Sequence, residues 1–354
     1  MTTMTRDRYV LAGDADNKTQ LTQAAFEDEV EEQWFSPEVD KKKLKALMRR
    51  EDGPALRHFG IWLALLIGSG VGVVLTWGSF WVVPFLLVYG VMYAMSDHHA
   101  HELSHGTPFK TRWLNEVLYH LNSFMTLHEA YYWRWSHTRH HTDTLLVGRD
   151  PEIAVMAPPD IKKIFLDFFF LQSGWTLLKT IFRNATGKVA GDGAHFIPEG
   201  ERAKVVRLSR LYVLIFVAII AACVVFQTIL PAVLLVTPRF WGGFVAQTFN
   251  ITQHAGLREN IRDHRQNTRT FHANPVYRFL YMNMNYHIEH HMFPMVPFHR
   301  LPELHRLIED QCPPAYPSVW ATYRDFVPAL KKQLEDPSYH IVRPLPERAA
   351  VAAE

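Results

Sequence analysis

Cysteine is nearly absent: Cys223 and Cys312 are the two in 354 residues. Two thiols cannot build a disulfide scaffold, a four-cysteine zinc site or a cysteine-ligated iron–sulfur cluster. An excess of one charge sign is missing as well, with 37 Lys and Arg against 35 Asp and Glu. No clustered basic face for nucleic acid is therefore expected. The first 50 residues are polar and of mixed charge, without the short apolar core of a signal peptide. No internal repeat or low-complexity segment is evident.

Charge is also missing from two long internal stretches, although the mean hydropathy of −0.09 resembles that of a soluble enzyme. From Phe59 to Ser96 there is no Asp, Glu, Lys or Arg. The run is long enough to cross a bilayer twice, turning at Trp77-Gly78-Ser79. Phe59 to Trp77 gives about 28 Å of helix, close to the ~30 Å hydrocarbon thickness. Phe80 to Met95 supplies a slightly shorter second arm. A second charge-free run covers Leu211 to Pro238, is broken by Arg239, and resumes from Phe240 to Leu257. Leu211 to Ile229 reads as its first arm and Pro231 to Pro238 as its turn. Buried helices of a soluble protein are the alternative, but such helices usually have shorter apolar stretches. The expected fold is an all-α integral membrane protein with two transmembrane hairpins, about four spans, under a cytoplasmic helical domain.

Lys41, Lys42, Lys43, Lys45, Arg49, Arg50 and Arg57 precede the first hairpin, and Arg202, Lys204, Arg207 and Arg210 precede the second. By the positive-inside rule, both termini and the large polar segments are expected on the cytoplasmic side, at the inner membrane if the cell is bacterial. Ile161 to Phe182 mixes charges with aromatics, as either an amphipathic helix in the headgroup plane or a packed surface helix would. The expected division is a polar segment over 1–55, a membrane and metal domain over 56–310, and a C-terminal segment over 311–354, peripheral from Pro337 onward.

Histidine is what the sequence has in excess. Seventeen of 20 lie in two windows, nine from His98 to His141 and eight from His254 to His305. Each window begins where an apolar hairpin ends. Within them stand His101-Glu-Leu-Ser-His105, His137-Thr-Arg-His140-His141 and His287-Ile-Glu-His290-His291. Spacings of three and four place side chains on one helix face, so each pattern aims its imidazoles together. Composition alone predicts H-x-x-H-H about 0.06 times, which makes two chance copies implausible. Imidazole suits iron, zinc, copper or nickel, and eight are too many for one ion. Two metals sharing them is the economical reading.

His254, at the end of the last apolar run, is a ninth candidate ligand. His98 and His99 could extend the first box, but supporting a ligand suits His98 better. Asp97, Glu102, Asp143, Asp150 and Glu289 stand beside candidate ligands, where carboxylates often hold the other nitrogen of a ligating ring. For His120, His128, His264, His272, His299 and His305 an ordinary polar or capping role is expected.

Three histidine boxes interleaved with two membrane hairpins resemble the membrane-bound fatty acid desaturase superfamily. Asn267-Thr-Arg-Thr270, Asn285-Tyr-His-Ile-Glu-His-His-Met-Phe-Pro294, Val296-Pro297 and Leu301-Pro-Glu-Leu-His305 are similar to family sequence too. The resemblance covers roughly 59–307. It implies a non-haem diiron oxygenase with a cytoplasmic metal site over a narrow acyl tunnel. By position the ligands would be His101, His105, His137, His140, His141, His287, His290 and His291, with His254 as the extra one. Two iron ions would activate O2, and a second hydrogen loss gives an alkene whereas oxygen rebound gives an alcohol. The substrate would be a membrane lipid or acyl thioester. No fused haem domain is seen at either end, so electrons are expected from a separate carrier, a ferredoxin or a cytochrome with its reductase.

Three other readings compete. Hydroxylation or oxidation of a lipid or small amphipathic metabolite uses the same centre. His101-Glu102-Leu-Ser-His105 also satisfies the H-E-x-x-H pattern of zinc metalloproteases, but that leaves both H-x-x-H-H boxes without a purpose. A metal carrier would need polar groups within its spans, and these have none.

Overall fold

The computed structural model describes residues 9–11, 33–189 and 191–346. Among them the chain is helical, and isolated bridges at Thr270 with Tyr286 and Phe271 with Tyr316 are the only β pairing. The principal helices are α1 (Asp52–Thr76), α2 (Val82–Ala94), α3 (Ser96–Ser104), α4 (Arg112–Met125), α5 (Ala130–Thr142), α6 (Leu171–Ala185), α7 (Glu199–Val225), α8 (Leu230–Leu235), α9 (Pro238–Asn250), α10 (His287–Met292), α11 (Leu301–Ile308) and α12 (Val319–Glu335).

Two stretches, Lys41–Thr76 and Glu199–Val225, are long and apolar enough to cross a membrane. Only 33% and 22% of their apolar windows are buried, the reverse of a soluble core helix. The expected turn after α1 is present, with Gly78 at φ +84°. The second arms are shorter than the charge-free runs suggested. α2 and α9 have 13 residues each, about 20 Å of helix.

The second hairpin is also arranged differently from expectation. A short helix, α8, occupies the proposed turn, and α9 packs chiefly against α2 rather than against α7. The contact requires glycine on both sides: a Cβ on Gly242 would lie 1.8 Å from the Gly90 carbonyl oxygen, and one on Gly90 would lie 2.3 Å from Trp241 Nε1. Close backbone approach at small residues is how helices associate where lipid replaces water. Hydrogen bonds from the Trp241 indole to Leu86 O at 3.0 Å, and from Tyr89 to Leu234 O at 2.7 Å, tie the same faces.

Arg239, the one charge in the second run, is buried. Its guanidinium pairs with Asp97 at 3.0 Å, donates to Ala94 O at 3.0 Å and lies 4.6 Å from the Phe170 ring. Where that cation is covered, the single helix expected over 161–182, whether in the headgroup plane or packed on the surface, is broken in two. Phe170 turns inward with φ 54°, and the chain restarts as α6, with Asp167 accepting from the Ser173 amide at 2.7 Å. Such a left-handed residue costs on the order of 1–3 kcal/mol.

The segment after Pro337 is not loose throughout. The Ile341 amide donates to Gly256 O at 2.9 Å, and the Arg343 guanidinium lies over the Tyr316 ring. Residues 347–354 lie outside the described residues.

Candidate metal centre

Each box is held by a local device. α2 passes into α3 with only Met95, itself in helical conformation, between them. The helix of the first box is therefore an extension of the apolar arm. It ends at Gly106, φ +64°, whose amide bonds to Leu103 O, and Pro108 prevents resumption. α5 begins at Glu129, whose carboxylate accepts the Tyr131 and Tyr132 amides, and ends with Arg139, His140 and His141 on the favourable side of the helix dipole. α10 is one turn and a half, ended by Pro294, and the Ile288 amide donates to the Thr270 hydroxyl at 3.2 Å.

These helices bring eight of the nine candidate imidazoles into two groups. His101, His105, His137, His141 and His290 form one, with ligand atoms all within 4.8 Å of one another. His140, His254 and His291 form the other on the same criterion. His287 lies beside the second, its Nε2 3.1 Å from His291 Nε2. Each H-x-x-H-H box contributes to both groups, because residues three and four apart diverge by a fraction of a turn.

Several outward-facing nitrogens have partners. His137 Nδ1 meets Glu152 at 2.9 Å, and His140 Nδ1 meets Asp150 at 2.9 Å. His254 Nδ1 donates to Asn267 O at 2.8 Å. His291 Nδ1 faces the Thr144 hydroxyl at 3.1 Å, whereas His290 Nδ1 lies 3.4 Å from Glu102 without a hydrogen bond to it. With Nδ1 as the donor, Nε2 presents a lone pair inward. His101 Nε2 then faces His290 Nε2 at 2.8 Å, and His137 Nε2 faces His141 Nε2 at 3.1 Å. Two bare lone pairs at such distances repel unless a cation or proton lies between them. His105 Nε2 and His254 Nε2 are buried without a hydrogen-bond partner among the described residues. Donors unsatisfied by protein and aimed at common points fit a pair of metal ions.

Electrostatics favours the ligating form. Burial first, and repulsion by neighbouring imidazoles second, hold His101, His105, His141, His254, His287, His290 and His291 well below the ordinary imidazole range. They are neutral at pH 7. His140 differs, because burial lowers it but Asp150 outweighs burial and raises it. Burial pushes Glu102 up to about 8.

Three of the expected supporting carboxylates have other partners. Asp97 binds Arg239 and the Asn250 amide, Asp143 binds Arg139 and Arg149, and Glu289 binds His305 and Thr270. Glu289 is one residue round the helix from His290, Asp97 lies four before His101 and Asp143 caps the helix two residues after His141; each is held by the partners just named. His98 likewise turns to Leu280 O at 2.9 Å and Asn250 at 3.0 Å. Asp150 and Glu102 do face box imidazoles. Glu102 approaches the back of the His290 ring, not a point between His101 and His105 where a protease base would activate water. The sequence reading missed Glu152, which stands two residues from Asp150 in the same turn, and Thr144, for which no signal exists.

A family model described as fatty acid desaturase matches residues 76–323, most of the chain and all three boxes. Comparison with curated proteins finds no match.

Proposed function

Since the chain belongs to the fatty acid desaturase family, we propose that it is an O2-dependent membrane desaturase that introduces a double bond into a lipid- or thioester-linked acyl chain. Two iron ions would be held by His101, His105, His137, His140, His141, His254, His287, His290 and His291, with electrons supplied by a separate carrier protein. The observation that carries this reading is the convergence of all three boxes and His254 into two adjoining imidazole groups.

Iron with dioxygen supplies an oxidant strong enough for an unactivated C–H bond, which no side-chain base could deprotonate. The chain's own residues do the rest. Burial keeps seven of the imidazoles neutral, and Asp150, Glu152 and the Asn267 carbonyl fix three rings in the tautomer that leaves Nε2 free.

The apolar surface supports a bilayer as the solvent around this site. Leu63, Ile67, Leu75, Leu214, Ile220 and Val224 are all exposed on α1 and α7, more apolar area than a water-soluble protein tolerates. Phe80 and Trp81, 96% and 75% exposed at the turn after α1, suit a membrane interface. On this reading α1, α2, α7 and α9 are four membrane passes, with the histidines and both termini on the cytoplasmic side.

Expression in a host with a compatible donor, followed by mass spectrometry of lipids and small metabolites, tests the reading. Loss of two hydrogens identifies desaturation. Gain of one oxygen would replace it with hydroxylation by the same centre, and no product from wild type, or an unchanged product from His290→Ala, would overturn the assignment.

A further inference from the structure

Trp34 lies flat on His264, with ring centroids 4.2 Å apart and planes 12° from parallel. His264 in turn faces His291, 5.1 Å away at 42°. His291 belongs to the second imidazole group, whereas neither Trp34 nor His264 belongs to either group. His264 is buried and Trp34 half-buried, so the three rings lead from the surface to the centre. The indole N–H is anchored on Thr142 O at 3.1 Å, at the end of the helix carrying the second box.

We infer that the stack of Trp34, His264 and His291 is the route by which electrons from a one-electron carrier protein enter the centre. The inference rests on the diiron reading above. A carrier's cofactor cannot reach buried imidazoles, so the nearest approach is the outermost ring in contact with them. Contacting π systems pass an electron more readily than saturated side chains do. Each reduced carrier is oxidised by one electron, and two such transfers reduce the iron pair by two. Those two electrons, two protons, one O2 and the two hydrogen atoms taken from the acyl chain give the alkene and two waters, so atoms and electrons balance.

The test uses the iron-loaded full chain under anaerobic conditions, reading the rate at which the centre is reduced. Reduced plant-type ferredoxin and reduced cytochrome b5 are the protein donors, and dithionite is the small donor that needs no docking. Trp34→Leu and His264→Leu should slow reduction by the protein donor by about tenfold or more. Trp34→Phe, which keeps a stacked ring, should restore most of the rate. Iron content and dithionite reduction should be unchanged throughout. Wild-type rates in the leucine variants would overturn the route. Parallel loss of iron or of dithionite reduction in those variants would overturn it too, by showing a structural role. Reduction of wild type by dithionite but by neither carrier would overturn the route. A wild type without reducible iron would instead defeat the diiron reading, and the route with it.

Discussion

Glu152 and His137 share a buried hydrogen bond, Oε2 to Nδ1 at 2.9 Å, that fixes which nitrogen of the ring faces the centre. Burial opposes ionisation of Glu152, but His137, followed by the Ser136 hydroxyl among others, outweighs it and holds the carboxyl at about 2. Glu152→Gln should weaken iron affinity by roughly 10- to 100-fold, the usual cost of losing an outer partner of a ligating imidazole. Asp143→Asn, whose partners are arginines, should leave affinity unchanged. Iron titration of the two purified apo variants checks this, and equal affinities would show that the hydrogen bond is incidental.

Seven neutral imidazoles give the apo protein a defined pH response. In the unfolded chain each takes up a proton near 6.5, whereas the folded site resists. The unfolded state therefore binds more protons below pH 6.5, and stability is lost as pH falls through that value. Glu102 and Glu129, both raised by burial to about 8, and His140 and His305, raised by neighbouring carboxylates that outweigh burial, act in the opposite sense but are four against seven. The unfolding midpoint of apo protein in detergent should fall steeply between pH 6.5 and 5. A midpoint insensitive to pH there would mean that the imidazoles are not buried as described.

Arg239 and Asp97 are a buried ion pair 142 positions apart in sequence. Removing one partner of such a pair typically costs about 3–5 kcal/mol, because the other is left as an unpaired buried charge. Arg239→Met should destabilise the protein strongly, and the double substitution Arg239→Met with Asp97→Leu should recover much of the loss. Thermal unfolding of the four proteins in the cycle measures the coupling; additive losses would mean the pair is not coupled.

Gly242→Ala should prevent stable folding, since its Cβ would meet Gly90 backbone that cannot move aside. Overpacking of this kind costs about 1–3 kcal/mol or more. Gly53→Ala, with nothing within 4 Å of its Cβ, is the control. Monodisperse yield after solubilisation distinguishes them, and equal yields would show that α2 and α9 are farther apart than described.

The histidine boxes were legible because an imidazole at i, i+3 and i+4 leaves a one-dimensional trace of a helix face. His254 was legible because it follows an apolar run. The partners of Asp97, Asp143 and Glu289 were not legible, because nearness to a box does not say which group claims a carboxylate: Arg239 for Asp97, Arg139 and Arg149 for Asp143, His305 and Thr270 for Glu289. His264 carried no local pattern, and Trp34 lies outside both histidine windows. The apolar runs marked α1 and α7 correctly, but the pairing of α2 with α9 depends on two glycines that hydropathy does not register.

That glycine crossing acts as a fulcrum. His101 is eleven residues beyond Gly90, and His254 is twelve beyond Gly242. The two levers are thus nearly equal, each bearing part of one imidazole group at its far end. Tilting either helix about the crossing would change the spacing between the two groups, whereas reshaping side chains on the opposite side of the crossing would leave that spacing alone. Changes to the helix surfaces beyond the crossing and preservation of the imidazole spacing are, on this architecture, mechanically separate problems.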